Sequence, residues 1–137
     1  MIPMPNAQPC DVPPGFTVEQ SPTDDDILCF YGVPLAWVFR HGADASLAWE
    51  IDQAKEASYW SEYLVVAAPP ERLAALLGNR MPCRDFLLAD PEAVLVRVEW
   101  TDNRPVTARR IRTADLPERN LPVAGTLLWP EDANAAP

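Results

Sequence analysis

An α+β fold is the expectation for this chain of 137 residues, built as an antiparallel curved sheet or small open barrel of about five or six strands with a short two-helix insert. Three observations predict it. Apolar residues alternate with a period of two after Ile27 and again after Val94, the spacing that puts every second side chain on one face of a sheet. The period lengthens to that of a helix only between Pro70 and Ala89. Apolar residues make up 48% of the chain, enough for one core in a domain of this size.

The elements follow in order. ILCFYG opens the sheet as a short apolar run. Leu35, Trp37 and Phe39 then alternate with Ala36, Val38 and Arg40, turn material follows at His41-Gly42-Ala43-Asp44, and Leu47, Trp49 and Ile51 alternate with Ala48, Glu50 and Asp52. This pattern predicts a β-hairpin with one aromatic face inward. Past a polar loop at Gln53 to Ser58, YWSEYLVVAAP supplies a strand whose Leu64 to Ala67 run is apolar on both faces, which predicts a covered position. Pro70 fits the first helical position, Leu73, Leu76 and Leu77 share a helical face, and Gly78 caps the end. Pro82 opens a second helical turn to Ala89, anchored by Phe86 and Leu87 and stopped by Asp90-Pro91. Val94, Val96, Val98 and Trp100 alternate in the next strand, the turn Asp102-Asn103-Arg104-Pro105 follows, and Val106 to Arg112 returns. LPERNLPVAGTLLW is Pro-broken, with Leu127 to Trp129 read as a last edge strand.

Residues 1–23 hold six of the sixteen prolines and no Lys or Arg, and have little periodicity; they read as a disordered Pro-rich tail. Residues 131–137 read the same way, which leaves residues 24–130 as the single globular domain.

Four pieces in this order, ILCFYGVPLAWVF, SEYLVVAAPPERLAALLGN, MPCRDFLLAD and LPERNLPVAG, cover residues 27–126. Together they resemble a small uncharacterised bacterial domain family, a domain of unknown function with a β-meander, a short two-helix insert and a closing LPxxxLPxxG-type segment. The chain departs from that family at Cys83, where such domains carry a larger apolar residue, and in its long Pro-rich start. The resemblance implies the fold and supplies no site residues.

The charge is lopsided. Twenty acids against eleven bases give −9; ten acids and two bases fall in residues 1–62, ten acids and nine bases in residues 63–137, hence −8 and −1. Such acidity repels phosphate backbones and anionic lipid, so neither direct nucleic-acid binding nor membrane binding is expected. The first residues carry neither a basic nor an apolar leader region, and no run of about 18 apolar residues exists; the expected location is cytoplasmic. Cys10, Cys29 and Cys83 are odd in number and lack CxxC spacing, which suits reduced thiols better than a disulfide framework.

No residue set carries catalytic, cofactor-binding or metal-binding chemistry on spacing alone. His41, the one histidine, sits in a predicted turn near Asp44, and Ser46 and Ser58 lack a nucleophile-elbow context. Asp24-Asp25-Asp26 are consecutive and point apart, which does not suit a cation site. Cys83 lies at a helix start before Arg84, which would activate a thiol, but packing is the leading reading. The five tryptophans read as core rather than as base-stacking platforms, since the aromatic hairpin with Trp37 and Trp49 belongs to the acidic half. Arg97, Arg104, Arg109, Arg110, Arg112 and Arg119 form the basic cluster, read first as cross-strand pairs with acids and second as an anion or partner patch. The expected function is a non-enzymatic protein-interaction module with a protein partner, its candidate binding residues being Asp24, Asp25, Asp26, Glu50, Asp52, Arg109, Arg110 and Arg112. An alternative is an acidic inhibitor, immunity or antitoxin-like protein that neutralises a basic partner. A third reading, an enzyme, requires a pocket that joins His41, Cys83 or the arginines.

Overall fold

The computed structural model describes residues 7–18, 27–31, 33–54, 59–101 and 104–129. They form one open antiparallel sheet of seven strands: β1 (Gln8–Cys10), β2 (Ile27–Tyr31), β3 (Val33–His41), β4 (Asp44–Gln53), β5 (Trp60–Ala67), β6 (Glu92–Glu99) and β7 (Val106–Arg112). Two helices, α1 (Pro70–Leu77) and α2 (Cys83–Leu87), stand between β5 and β6. The spatial order is β1-β7-β6-β5-β4-β3-β2, so the chain meanders from β2 to β7 and its first strand closes the far edge. The α+β class and the two-helix insert hold, while the strand count is seven. The additional strand is β1, which lies within the segment read as a tail: Gln8, Pro9 and Cys10 pair with Arg110, Arg109 and Ala108. Proline is tolerated there because an edge strand can leave one N–H unused. Leu127 to Trp129 form no strand; Trp129 donates from its backbone N–H to Asn79 Oδ1 at 3.0 Å and from Nε1 to the Leu77 carbonyl at 2.9 Å. Residues 1–6, 19–26 and 130–137 lie outside the described residues.

Both faces of the sheet are buried. The two-residue turn Gly42-Ala43, with Gly42 at φ 64°, pairs His41 with Asp44, which sets odd-numbered positions of β3 opposite even-numbered positions of β4. Trp37 therefore faces Ala48 and Trp49 faces Ala36, so the two tryptophans point to opposite sides and the hairpin has no single aromatic face. On one side Val38, Leu47, Leu64, Val66 and Leu95 pack against Leu76, Cys83, Phe86 and Leu87 of the helices, with Trp49 partly buried at the margin. Asn120 Nδ2 donates to the Ile51 carbonyl at 2.9 Å and pins the closing segment over the same side.

On the other side Trp37, Phe39, Ala48, Tyr63, Val65, Val96 and Val98 form a second core, and the N-terminal segment crosses it. Phe16 packs edge-on or tilted against Trp37, Phe39 and Tyr63, with ring centroids 5.4, 5.9 and 6.1 Å away. Gly15, at φ +85°, lies so close to β3 that a Cβ would stand 2.7 Å from the Arg40 carbonyl oxygen. Only glycine allows that approach. Residues 7–18 are thus a strap over the second face, because one large aromatic and a short strand supply the burial that the proline-rich composition conceals.

Candidate functional site

Among the described residues, the acids singled out by sequence, Glu50 and Asp52, lie on β4 and the bases Arg109, Arg110 and Arg112 on β7, three strands away. Asp24, Asp25 and Asp26 lie outside the described residues. Glu50 is on the strap side of β4, facing Tyr63 in register, and its carboxyl is raised above the ordinary 4.5 first by burial; the Ser61 hydroxyl counteracts this and Asp52 adds to it. Asp52 stands beyond a bulge and accepts from the Gln53 N–H at 2.9 Å. Tyr63 is pushed well up by burial and by the Glu50 charge, and Ser61 accepts from Trp100 Nε1 at 2.8 Å.

This arrangement makes stability depend on pH through Glu50. A raised carboxyl means that the folded state favours the neutral form, so its contribution is present below about pH 4.5 and lost as the pH rises above that value. Glu50→Gln, which is neutral throughout, is expected to melt above the parent at pH 7, with the difference shrinking as the pH falls through the carboxylate range. Thermal melts of both proteins across that range check it; an equal difference at every pH would exclude the titration.

The arginines divide between the two faces. Arg109 points to the helix side, where its Nη2 lies 3.3 Å from Glu62 Oε2, and Glu62 is fully buried. Arg97 Nη1 is 3.9 Å from Glu62 Oε1, its Nε is 2.8 Å from Glu99 Oε1, and its guanidinium stands 4.6 Å over the Trp60 ring. Arg109 thus pairs with the buried Glu62 while part of its own side chain stays in contact with solvent. Arg110 and Arg112 point the other way. Arg112 lies 3.8 Å from Asp115, and Arg110 is exposed. Cys83 is buried, burial raises its thiol, and its N–H donates to the Thr126 carbonyl at 2.8 Å; it packs.

Two concavities lie at the end of the sheet where the β3–β4 turn meets α1, and they share His41 and Ser46. The larger, about 630 Å³, runs between the hairpin and the outer side of α1. Its lining is mainly Ala67, Ala68, Pro69, Pro70, Leu73 and Leu77, with Arg40 and Asp44 at the rim. Helix α1 presents Leu77 there at 38% exposure because its inward face is taken by Leu76. The smaller cleft, about 300 Å³, opens on the strap side between Pro13-Pro14 and the ends of β4 to β7. His41 Nε2 and Ser46 Oγ stand 3.3 Å apart between the two. Arg110, Glu92 and Asp90 complete the polar lining of the small cleft, and Asp90 is paired with Arg72 at 3.0 Å. The local signal for this site, a lone histidine before a two-residue turn and a serine five residues on in the returning strand, is in the sequence. Arg110 joins it only through the sheet order. Among the described residues no three His, Cys, Asp or Glu side chains could hold a metal ion, and no helix is long and apolar enough to cross a membrane.

The fold and site define an open seven-stranded α+β protein with a concave helix-side end. No family model matches the chain, and neither the curated proteins nor the solved structures contain a match.

Proposed function

We propose that the chain is a non-enzymatic protein-interaction module that takes an extended segment of a basic partner in the groove between the β3–β4 hairpin and α1. The observation that carries this reading is the groove itself: an apolar floor of Pro69, Pro70, Leu73 and Leu77 open to solvent, with Asp44 at the rim and Glu71 exposed in the first turn of α1. An exposed apolar floor with a charged rim is the composition of recognition surfaces. Charge supports the choice of partner. The net charge is −9 after all eleven bases are counted, and Arg72, Arg84, Arg97, Arg109 and Arg112 are each paired with acids of the same chain. A basic partner is steered towards such a surface.

The same charge suits an inhibitor, immunity or antitoxin-like protein that holds a nucleic-acid-binding partner in check. A steep loss of association rate with added salt marks that case.

The test places a photo-crosslinking residue at Leu77 in the full-length protein in its source cell, with the same residue at Val123 for comparison; Val123 is 76% exposed and outside the groove. A basic protein crosslinked from Leu77 alone, with a yield reduced by Asp44→Asn and Glu71→Gln, is the expected result. Equal yields from the two positions, or a partner without excess positive charge, would overturn the reading.

A further inference from the structure

The small cleft on the strap side carries an inference independent of the groove. Arg110 is exposed, lines this cleft, and lies within ion-pair distance of no acid among the described residues. At the other end, on β4, Ser46 is 9% exposed and His41 Nε2 lies 3.3 Å from its hydroxyl oxygen. When His41 Nε2–H donates to Ser46 Oγ, the Ser46 hydroxyl hydrogen is left to point into the cleft, since a serine oxygen accepts and donates at once. Between these ends lie Val65 and Val94, directly paired on β5 and β6, with Pro13 and Pro14 of the strap as the opposite wall.

The spacing selects the ligand. Arg110 and Ser46 stand on β7 and β4, three strand intervals apart and two residues out of line along the strands, about 16 Å between backbones before either side chain reaches inward. One atom cannot touch both. A short apolar chain with a carboxylate at one end and a hydrogen-bonding group at the other can, and a planar guanidinium is suited to hold a carboxylate through two parallel bonds. Glu92 on β6 and Asp90, the latter paired with Arg72 at 3.0 Å, line the same cleft and oppose a second negative charge.

We propose that this cleft is a binding site for a short monocarboxylate bearing a terminal hydroxyl or amide, its carboxylate on Arg110, its chain over Val65 and Val94, and its far end on Ser46 and His41. The carboxylate can belong to a free small acid or to the C-terminal residue of a polypeptide.

The test follows backbone amide shifts of the full chain by NMR during titration with 5-hydroxypentanoate, pentanoate, and an N-acetyl dipeptide ending in serine as the free acid and as the amide. Saturable shifts at Ser46 and Arg110 with 5-hydroxypentanoate are expected at millimolar concentrations. Arg110→Gln should weaken both pentanoates by about tenfold or more. Ser46→Ala should weaken 5-hydroxypentanoate several-fold and leave pentanoate unchanged, and Glu92→Gln should tighten both. Tighter binding of the dipeptide acid than of 5-hydroxypentanoate, with none of its amide, assigns the carboxylate to a chain terminus; the reverse order assigns it to a free acid. Arg80→Gln, outside the cleft, controls for charge. Absence of saturable shifts with every acid, affinities unchanged in Arg110→Gln, or equal losses of both pentanoates in a folded Ser46→Ala would overturn the proposal.

Discussion

Replacing Glu62 by Ala is expected to lower stability by about 3 kcal/mol, because it leaves two arginines facing a core that no longer holds their counter-charge. Glu62 is fully buried in the middle of the sheet, and Arg97 reaches it from the adjacent strand β6 and Arg109 from β7, the next strand beyond, with 21% of each side chain still in contact with solvent. That residual contact keeps the estimate at the lower end for a broken buried pair. For a domain of this size the melting temperature should fall by about 10 °C. Glu62→Leu combined with Arg109→Met should recover much of the loss, since a buried ion pair replaced by apolar groups of similar volume is near neutral. Denaturant unfolding of the three proteins measures this. A loss below about 1 kcal/mol in Glu62→Ala would show that the arginines are solvated well enough to need no partner.

Glu62 also shows where reading the sequence stops. In SEYLVV it has the look of a solvent-facing residue between apolar neighbours, and only the register that sets it opposite Arg97 turns it into a core charge. The cross-strand pairing of arginines with acids was a correct expectation in kind. Its burial was not visible, because it depends on the order of strands that sets Glu62 between β4 and β6.

The helices, by contrast, are plain in the sequence. Pro70 starts α1, the Gly78 N–H closes it on the Ala74 carbonyl at 2.9 Å, and Phe86 and Leu87 anchor α2 as their spacing requires. The faces of the β3–β4 hairpin were legible but need the turn as well as the alternation. Both arms carry apolar residues at even and odd positions, so alternation alone selects neither face, whereas a two-residue turn fixes the parity and separates Trp37 from Trp49. For β1 there is no periodic signal at all: three residues around a proline, paired with a strand near the opposite end of the chain. The small cleft is hidden for the same reason. His41 and Ser46 are local, but Arg110 reaches them through an order of strands that no local pattern encodes.

The strap is the element on which the second core and one wall of the small cleft both depend, and its removal is the most direct test of the account. Deleting residues 1–18 takes away the Phe16 ring from Trp37, Phe39 and Tyr63 and strips the short strand from the edge of β7. Burial of one phenylalanine is worth about 1.5–3 kcal/mol and its aromatic pairs add about 0.5–1.5 kcal/mol each. Since the ring is only partly buried, the expected loss is about 4 kcal/mol. Thermal unfolding of the full chain beside the chain beginning at residue 19 measures it: the account predicts a melting temperature lower by more than about 10 °C, and unfolding within about 2 °C of the full chain would contradict it.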